Sequence, residues 1–134
     1  MRVLVALFLV GHGLVHAIYV GHARRLYEVQ PGATWPDGSW ALSRLWGDPV
    51  TRWWVAVVFA LVAAAFAVAG VALLARAPWW APVATSAAVA SAATLLLAWN
   101  GRLQDVGVQG AYALAIDAAI VVLALWVRWP SVDG

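Results

Sequence analysis

The sequence has no cysteine and no lysine, and only 10% of its residues are charged. Without cysteine, the chain has no disulfide, thiolate metal site, iron–sulfur cluster or cysteine nucleophile. The charged share lies well below the roughly 25% that is typical of a soluble domain. All eight basic residues are arginines, and they stand singly or in one pair rather than in a basic stripe. This distribution argues against binding to nucleic acid.

Hydrophobic residues, in contrast, make up 65% of the 134 residues. A soluble domain is about 45–50% apolar, and a chain of this size leaves much of its surface exposed. A soluble fold would therefore expose a large apolar area to water. The composition predicts a multi-pass protein of the cell membrane whose main partner is the lipid bilayer.

Four long apolar stretches predict an all-α fold, a bundle of four transmembrane helices in a single domain that covers residues 1–134. A span of about 20 residues crosses a hydrocarbon core of roughly 30 Å. Tryptophans stand near the ends of these stretches, as in the aromatic belts of membrane proteins. The predicted helices cover residues 2–21, 53–75, 79–100 and 108–129.

The connection after the first helix, residues 22–52, is the longest and is punctuated by proline and glycine. Within it, residues 38–47 predict a short interfacial helix that turns Trp and Leu side chains to the membrane, with Asp37 or Ser39 as its N-cap. Such a connection is either a lid that rests on lipid headgroups or a gate above a cavity among the helices. Because the segment has no polar cluster, the lid is the favoured interpretation.

The arginines near the helix ends predict an orientation. Five of the eight fall on the side that carries the long first connection, and three fall on the opposite side. Loops with more arginine and lysine tend to lie in the cytoplasm. The first connection is therefore predicted to be cytoplasmic.

Ionisable side chains stand inside two of the predicted spans. Asp117 lies deep in the fourth span, where an aspartate costs roughly 2.5–3.5 kcal/mol on insertion scales. His12 and His16 are spaced i, i+4 and share one face of the first helix, which Tyr19 extends. Because the first and fourth helices are antiparallel, His12 and Asp117 fall at similar depth and can meet. If Asp117 faces lipid instead, every hypothesis about this site fails.

Three interpretations of His12, His16 and Asp117 remain open. The residues are a divalent metal site, since i, i+4 histidines can share one zinc or iron ion, although no complete metal motif is present. Alternatively, they are a catalytic site or proton relay, since histidine changes charge near neutral pH. In the third interpretation they are structural, with one histidine bonded to Asp117 and the others to backbone carbonyls, serines or Tyr112. Haem is not expected within one copy, because a single helix carries all the histidines and Met1 is the only methionine.

Small residues predict where helices approach one another closely. Gly11 and Gly13 flank His12, and packing against a neighbouring helix is favoured over room for a ligand. The second span has small residues on one face and beside it, and these favour association within the bundle, with a second copy or with another membrane protein. These small residues are Ala60, Ala63, Ala64, Ala67 and Gly70.

The run LVGHGLVH, followed by a long tryptophan-rich connection and three alanine-rich spans, resembles a set of small uncharacterised bacterial four-helix membrane proteins. The arrangement is also loosely similar to that of DoxX-like proteins. The likeness covers the whole chain in topology and only those first residues in motif. It implies four helices and no assured activity.

These features predict a small membrane protein with a buried His/Asp site that serves as a subunit or accessory component of a larger membrane assembly. The competing interpretations are a membrane-embedded enzyme that uses His12, His16 and Asp117 on a lipid or another apolar substrate, and a small transporter or channel subunit. An enzyme predicts a cavity beside Asp117 that opens to lipid. A transporter predicts a water path across the bilayer, and a structural protein predicts an Asp117 whose oxygens are all hydrogen-bonded.

Overall fold

The computed structural model describes residues 1–103 and 106–127 of the chain. Within these residues all regular structure is helical, as the sequence predicts, and no strand occurs. A π-helical segment, Val122–Val127, continues the last α-helix. The α-helices, numbered along the chain, are α1 (Arg2–Ala23), α2 (Leu42–Trp46), α3 (Asp48–Leu74), α4 (Trp80–Leu97) and α5 (Ala111–Val121).

Three helices, α1, α3 and α4, are long and apolar enough to cross a membrane. They have 22, 27 and 18 residues, which correspond to about 33, 40 and 27 Å at 1.5 Å per residue. The helical stretch Ala111–Trp126 is also apolar but shorter. The predicted end of the fourth span, at residue 129, lies outside the described residues.

The helix boundaries differ from the predicted ones by a few residues. The helix α3 begins at Asp48 rather than at residue 53, because Pro49 is tolerated in a first turn and Asp48 complements the helix dipole there. The helix α5 begins at Ala111 rather than at residue 108, because Gly110 before it has a φ of 90° and interrupts the helical backbone. The helix α1 runs slightly beyond its predicted end, and α4 stops slightly short of it.

The helices α1 and α3 pack against each other with their backbones nearly in contact. A Cβ atom added to Gly13 of α1 would lie 2.9 Å from the Ala63 carbonyl oxygen of α3. One added to Gly70 of α3 would lie 2.9 Å from the Ala6 carbonyl oxygen of α1. Small residues that allow such an approach are a main source of helix association in lipid.

The helix α4 packs on α3 and on α5, so the order of contact through the bundle is α1, α3, α4 and α5. Ala84 and Ala88 of α4 are fully buried in this packing. Between α1 and α5, in the part of the chain that the structure describes, backbone contact is sparse. These two helices therefore meet mainly through their side chains.

The helix α2 is shorter than the predicted interfacial segment, residues 38–47. The N-cap residue is Ala41 rather than the predicted Asp37 or Ser39, although the Ser39 Oγ accepts a hydrogen bond from the Ser43 backbone N–H of α2 at 2.7 Å. Leu45 and Trp46 are exposed, whereas Leu42 is buried against the bundle. Only part of the predicted membrane-facing set is therefore exposed.

The long first connection closes one end of the bundle through Trp35. This side chain is 2% exposed, and its ring centroid lies 5.4 Å from that of Tyr19 and 5.9 Å from that of Phe59. Asp37 does not cap α2 but forms an ion pair with Arg25, at 2.6 Å. The connection is thus a lid that inserts a side chain among the helices, a closer contact than the predicted lid on headgroups.

We expect Gly13→Ala to lower the thermal unfolding midpoint of the protein in detergent, since the new Cβ would press on the Ala63 carbonyl. Overpacking of this kind costs about 1–3 kcal/mol. The matched control is Gly11→Ala, on the same helix, because a Cβ at Gly11 meets nothing within 4 Å. Equal midpoints for the two variants, measured by circular dichroism, would contradict the close contact between α1 and α3.

Candidate functional site

The ionisable side chains that the sequence places at similar depth lie side by side in the core. His12 Nε2 is 2.8 Å from Asp117 Oδ1, and both side chains are buried. The hydrogen bond joins α1 to α5 across the gap between their backbones. Asp117 therefore faces the interior of the bundle and not the lipid.

His16, one helical turn after His12, is held by two hydrogen bonds. Its Nδ1 lies 2.9 Å from the His12 backbone carbonyl, and because a carbonyl can only accept, Nδ1–H is the donor. In the neutral ring, Nε2 is then an acceptor, and the Ser91 hydroxyl on α4 donates to it at 2.6 Å. Two groups on two helices, the His12 carbonyl and the Ser91 hydroxyl, thus fix the orientation of this imidazole.

Two phenylalanines of α3 form an apolar wall around the histidines. The Phe66 ring centroid lies 4.9 Å from that of His12 and 5.6 Å from that of His16. The Phe59 centroid lies 5.2 Å from that of His16. Both phenylalanines are fully buried, so the polar atoms between them interact in surroundings of low dielectric constant, where electrostatic interactions are stronger than in water.

The Asp117 carboxyl has a hydrogen bond on only one of its two oxygens. Its Oδ2 is buried and has no hydrogen-bond partner among the described residues. A buried polar atom without a partner costs about 1–3 kcal/mol, and more when it is charged. A purely structural Asp117 is predicted to have every oxygen hydrogen-bonded, and Oδ2 departs from that prediction.

His12, His16 and Asp117 form a group that we call the donor cluster. Each offers one possible ligand atom, and these atoms lie within 4.8 Å of one another. Zinc binds imidazole nitrogen and carboxylate oxygen at about 2.0–2.2 Å, so atoms on one ion lie within roughly 4.4 Å of each other. Small side-chain movements would bring all three atoms onto one ion. The bond from His16 Nδ1–H to a carbonyl is the kind of outer contact that orients metal-binding histidines.

An apolar cleft of about 320 Å³ lies beside the donor cluster, between α1 and α5. Its inner end is one helical turn from the cluster, since Leu9 precedes His12 and Ile120 follows Asp117 by three residues. The Phe8 ring separates the cleft from His12, with the two rings parallel and their centroids 6.2 Å apart. The side chains that line the α1–α5 cleft are Met1, Leu4, Val5, Phe8, Leu9, Trp80, Ile120, Leu123 and Ala124.

The residues that surround the donor cluster are harder to predict from the sequence than the cluster itself. Of the predicted partners for the histidines, a backbone carbonyl and a serine are found, whereas Tyr112 is 79% exposed and does not reach them. Ser91 could have been identified as a hydroxyl on the same α4 face as the buried Ala84 and Ala88. Phe59 has no such signal, because any apolar residue in an uncharged span is a candidate for the core.

Ser91→Ala should destabilise the metal-free protein, because it leaves His16 Nε2 buried without a donor. The expected cost is about 1–3 kcal/mol, measured as a lower thermal unfolding midpoint in detergent. Ser86→Ala is the matched control, since Ser86 lies on the same helix with its side chain exposed. If the two variants unfold at the same temperature, the hydrogen bond between Ser91 and His16 does not contribute to the fold.

Comparison with known proteins adds no constraint on this cluster. No protein-family model, no curated protein and no solved structure matches the chain. Function is therefore inferred from the chemistry of the donor cluster and of the cleft beside it.

Proposed function

We propose that the protein binds one divalent transition-metal ion, zinc or iron, in the core of a membrane-embedded helical bundle. The observation that supports this most directly is the convergence of three buried ligand atoms within 4.8 Å. Two histidines and one carboxylate are a donor set found with zinc and with non-haem iron. The two histidines come from one turn of α1, and the carboxylate comes from α5.

A bound cation also accounts for the burial of Asp117. Its side chain is 1% exposed, and one of its oxygens has no partner among the described residues. A carboxylate in apolar surroundings is costly unless a charge or several hydrogen bonds compensate it. A divalent ion held by this oxygen and by neutral imidazoles would supply that compensation.

The number of protein donors favours a catalytic site over a structural one. Structural zinc sites have four protein ligands, whereas catalytic sites have three and leave a position open for water or substrate. The donor cluster offers three, and the apolar cleft begins one turn away. Both features support a membrane-embedded enzyme that acts on an apolar substrate.

The fourth span in this proposal consists of α5 and the π-helical segment after it. The hydrogen bond between Asp117 and His12 supports this proposal, because a fourth span antiparallel to α1 would bring these two residues to similar depth. We also propose that the first connection faces the cytoplasm, on the basis of the arginine distribution. Substituted-cysteine labelling from either side is simple in a chain without native cysteine.

A second candidate is an accessory subunit of a larger membrane assembly, in which His12 and Asp117 form a structural or proton-exchanging contact. The direct 2.8 Å hydrogen bond favours this candidate, since it holds the pair together without an ion. Ala60 and Ala64 lie i, i+4 on an exposed face of α3 and would let a partner helix approach closely. Under this candidate the protein binds no stoichiometric metal.

Elemental analysis of the protein in detergent, after exposure to zinc or ferrous iron, distinguishes the two candidates. We expect one ion per chain in the wild type and at least tenfold less bound metal in His16→Gln. Loss of an outer contact alone lowers metal affinity roughly 10–100-fold, and loss of a ligand should lower it at least as much. His22→Gln is the matched control, because His22 is buried on the same helix but lies outside the donor cluster. Absence of metal from the wild type, or an equal loss in both variants, would refute the metal site.

A further inference from the structure

A charged side chain stands at the outer end of the α1–α5 cleft. Met1 and Trp80 line the cleft where α1 and α4 begin. Arg2, next to Met1, shares a face of α1 with Val5 and Leu9 at i+3 and i+7, and both of these residues also line the cleft. Arg2 is not itself a lining residue, and this shared face puts it beside the outer end of the cleft.

One nitrogen of the Arg2 guanidinium is without a partner. Its Nη1 atom is buried and has no hydrogen-bond acceptor among the described residues. Arginine stays charged in proteins, and a buried charged donor without an acceptor costs more than a neutral one. The planar guanidinium matches the oxygens of a phosphate group, to which it can donate two parallel hydrogen bonds.

The interior of the cleft suits an apolar chain that enters from the side. From Met1 to Leu9 it extends about 12 Å along α1, at 1.5 Å per residue. Leu4, Phe8 and Leu123 line it and are 40–66% exposed, so the cleft opens laterally to the lipid. Because the side chains that line the cleft are apolar, a polar ligand would lose its hydration without gaining hydrogen bonds. An acyl chain needs no hydrogen bonds.

The charges at this end of the bundle favour an anionic headgroup. Among the described residues outside the core, Arg2 and the exposed Arg76 of the α3–α4 turn lie at this end. The opposite end carries the acidic residues Glu28, Asp37 and Asp48 together with five arginines. Outside the core, the Arg2 end therefore has basic side chains and no acidic one among the described residues. Basic side chains near a membrane surface attract anionic lipid at about 1 kcal/mol each. A lipid without net charge would not gain this attraction.

We infer that the α1–α5 cleft holds one acyl chain of an anionic glycerophospholipid, whose phosphate pairs with Arg2. The headgroup then lies at the membrane surface, and the inner part of the chain lies one helical turn from His12 and Asp117. If the donor cluster binds metal as proposed above, the position of the cleft selects lipid acyl chains as the substrate class of that site. The binding of the lipid itself does not depend on the metal.

Photo-crosslinking of the full chain in lipid nanodiscs tests the inference. The probe is phosphatidylglycerol with a diazirine near the end of one acyl chain, and labelled peptides are mapped by mass spectrometry. We expect residues 4–9 and 120–124 to be labelled several-fold more than by phosphatidylcholine with the same chain. Arg2→Gln should reduce this labelling to the phosphatidylcholine level, whereas Arg24→Gln, at the opposite end of α1, should leave it unchanged.

A pair of tryptophan variants separates the cleft from the general lipid surface. Leu123→Trp fills the cleft and should lower the labelling several-fold. Leu125→Trp is the matched control, since Leu125 is exposed in the same π-helical segment and does not line the cleft. Equal labelling by the two lipids, or labelling that Leu123→Trp leaves unchanged, would overturn the inference.

The lipid site and the metal centre can be refuted independently, because crosslinking tests the first and elemental analysis tests the second. Stoichiometric metal without specific labelling would overturn the lipid site and leave the metal centre. Specific labelling of a protein that binds no metal would establish the lipid site and refute the metal centre, together with the role of the acyl chain as its substrate.

Discussion

The hydrogen bond between His12 and Asp117 is the interaction on which the rest of the structure depends. Both groups are ionisable and lie in apolar helices predicted to span a membrane. A charge on such a helix that faced lipid would be strongly unfavourable. Their contact joins α1 to α5, two helices that otherwise meet through few backbone contacts. The bundle must bury this pair on one side of α1 while the other side faces lipid. The remaining packing follows from that requirement, including the apolar wall of α3 and the hydroxyl of Ser91 on α4.

Close backbone packing and a polar core have complementary roles here. At Gly13 and Gly70 the α1 and α3 backbones are close enough to exclude any larger side chain. Between α1 and α5 the backbones stay apart, and that separation leaves both the space for the donor cluster and the cleft beside it. Tight association of α1 with α3 is thus combined with a wider separation of α1 and α5, which is bridged by the buried donor cluster.

Much of the fold could be predicted from the sequence because the bilayer imposes simple length and polarity rules. Span lengths sufficed to predict the three long helices α1, α3 and α4, and the assumption of equal depth sufficed to pair His12 with Asp117. The faces on which helices meet could not be predicted, because an uncharged, alanine-rich span has no polar side to mark its exposed surface. Gly11 and Gly13 look equivalent in sequence, yet only Gly13 contacts α3. In sequence Trp35 resembles the other tryptophans near the helix ends. Its insertion among the helices depends on the fold of the whole first connection and could not be predicted.

The position of the cleft along α1 has a consequence for the bilayer around it. The cleft occupies only the half of the helix that precedes His12, and the lid closes the opposite end of the bundle through Trp35. If the cleft holds an acyl chain as inferred above, that chain belongs to the leaflet on the side of Met1 and Trp80. Because the two leaflets of a membrane differ in lipid composition, occupancy of the cleft would then depend on which leaflet contains the Met1 end of α1.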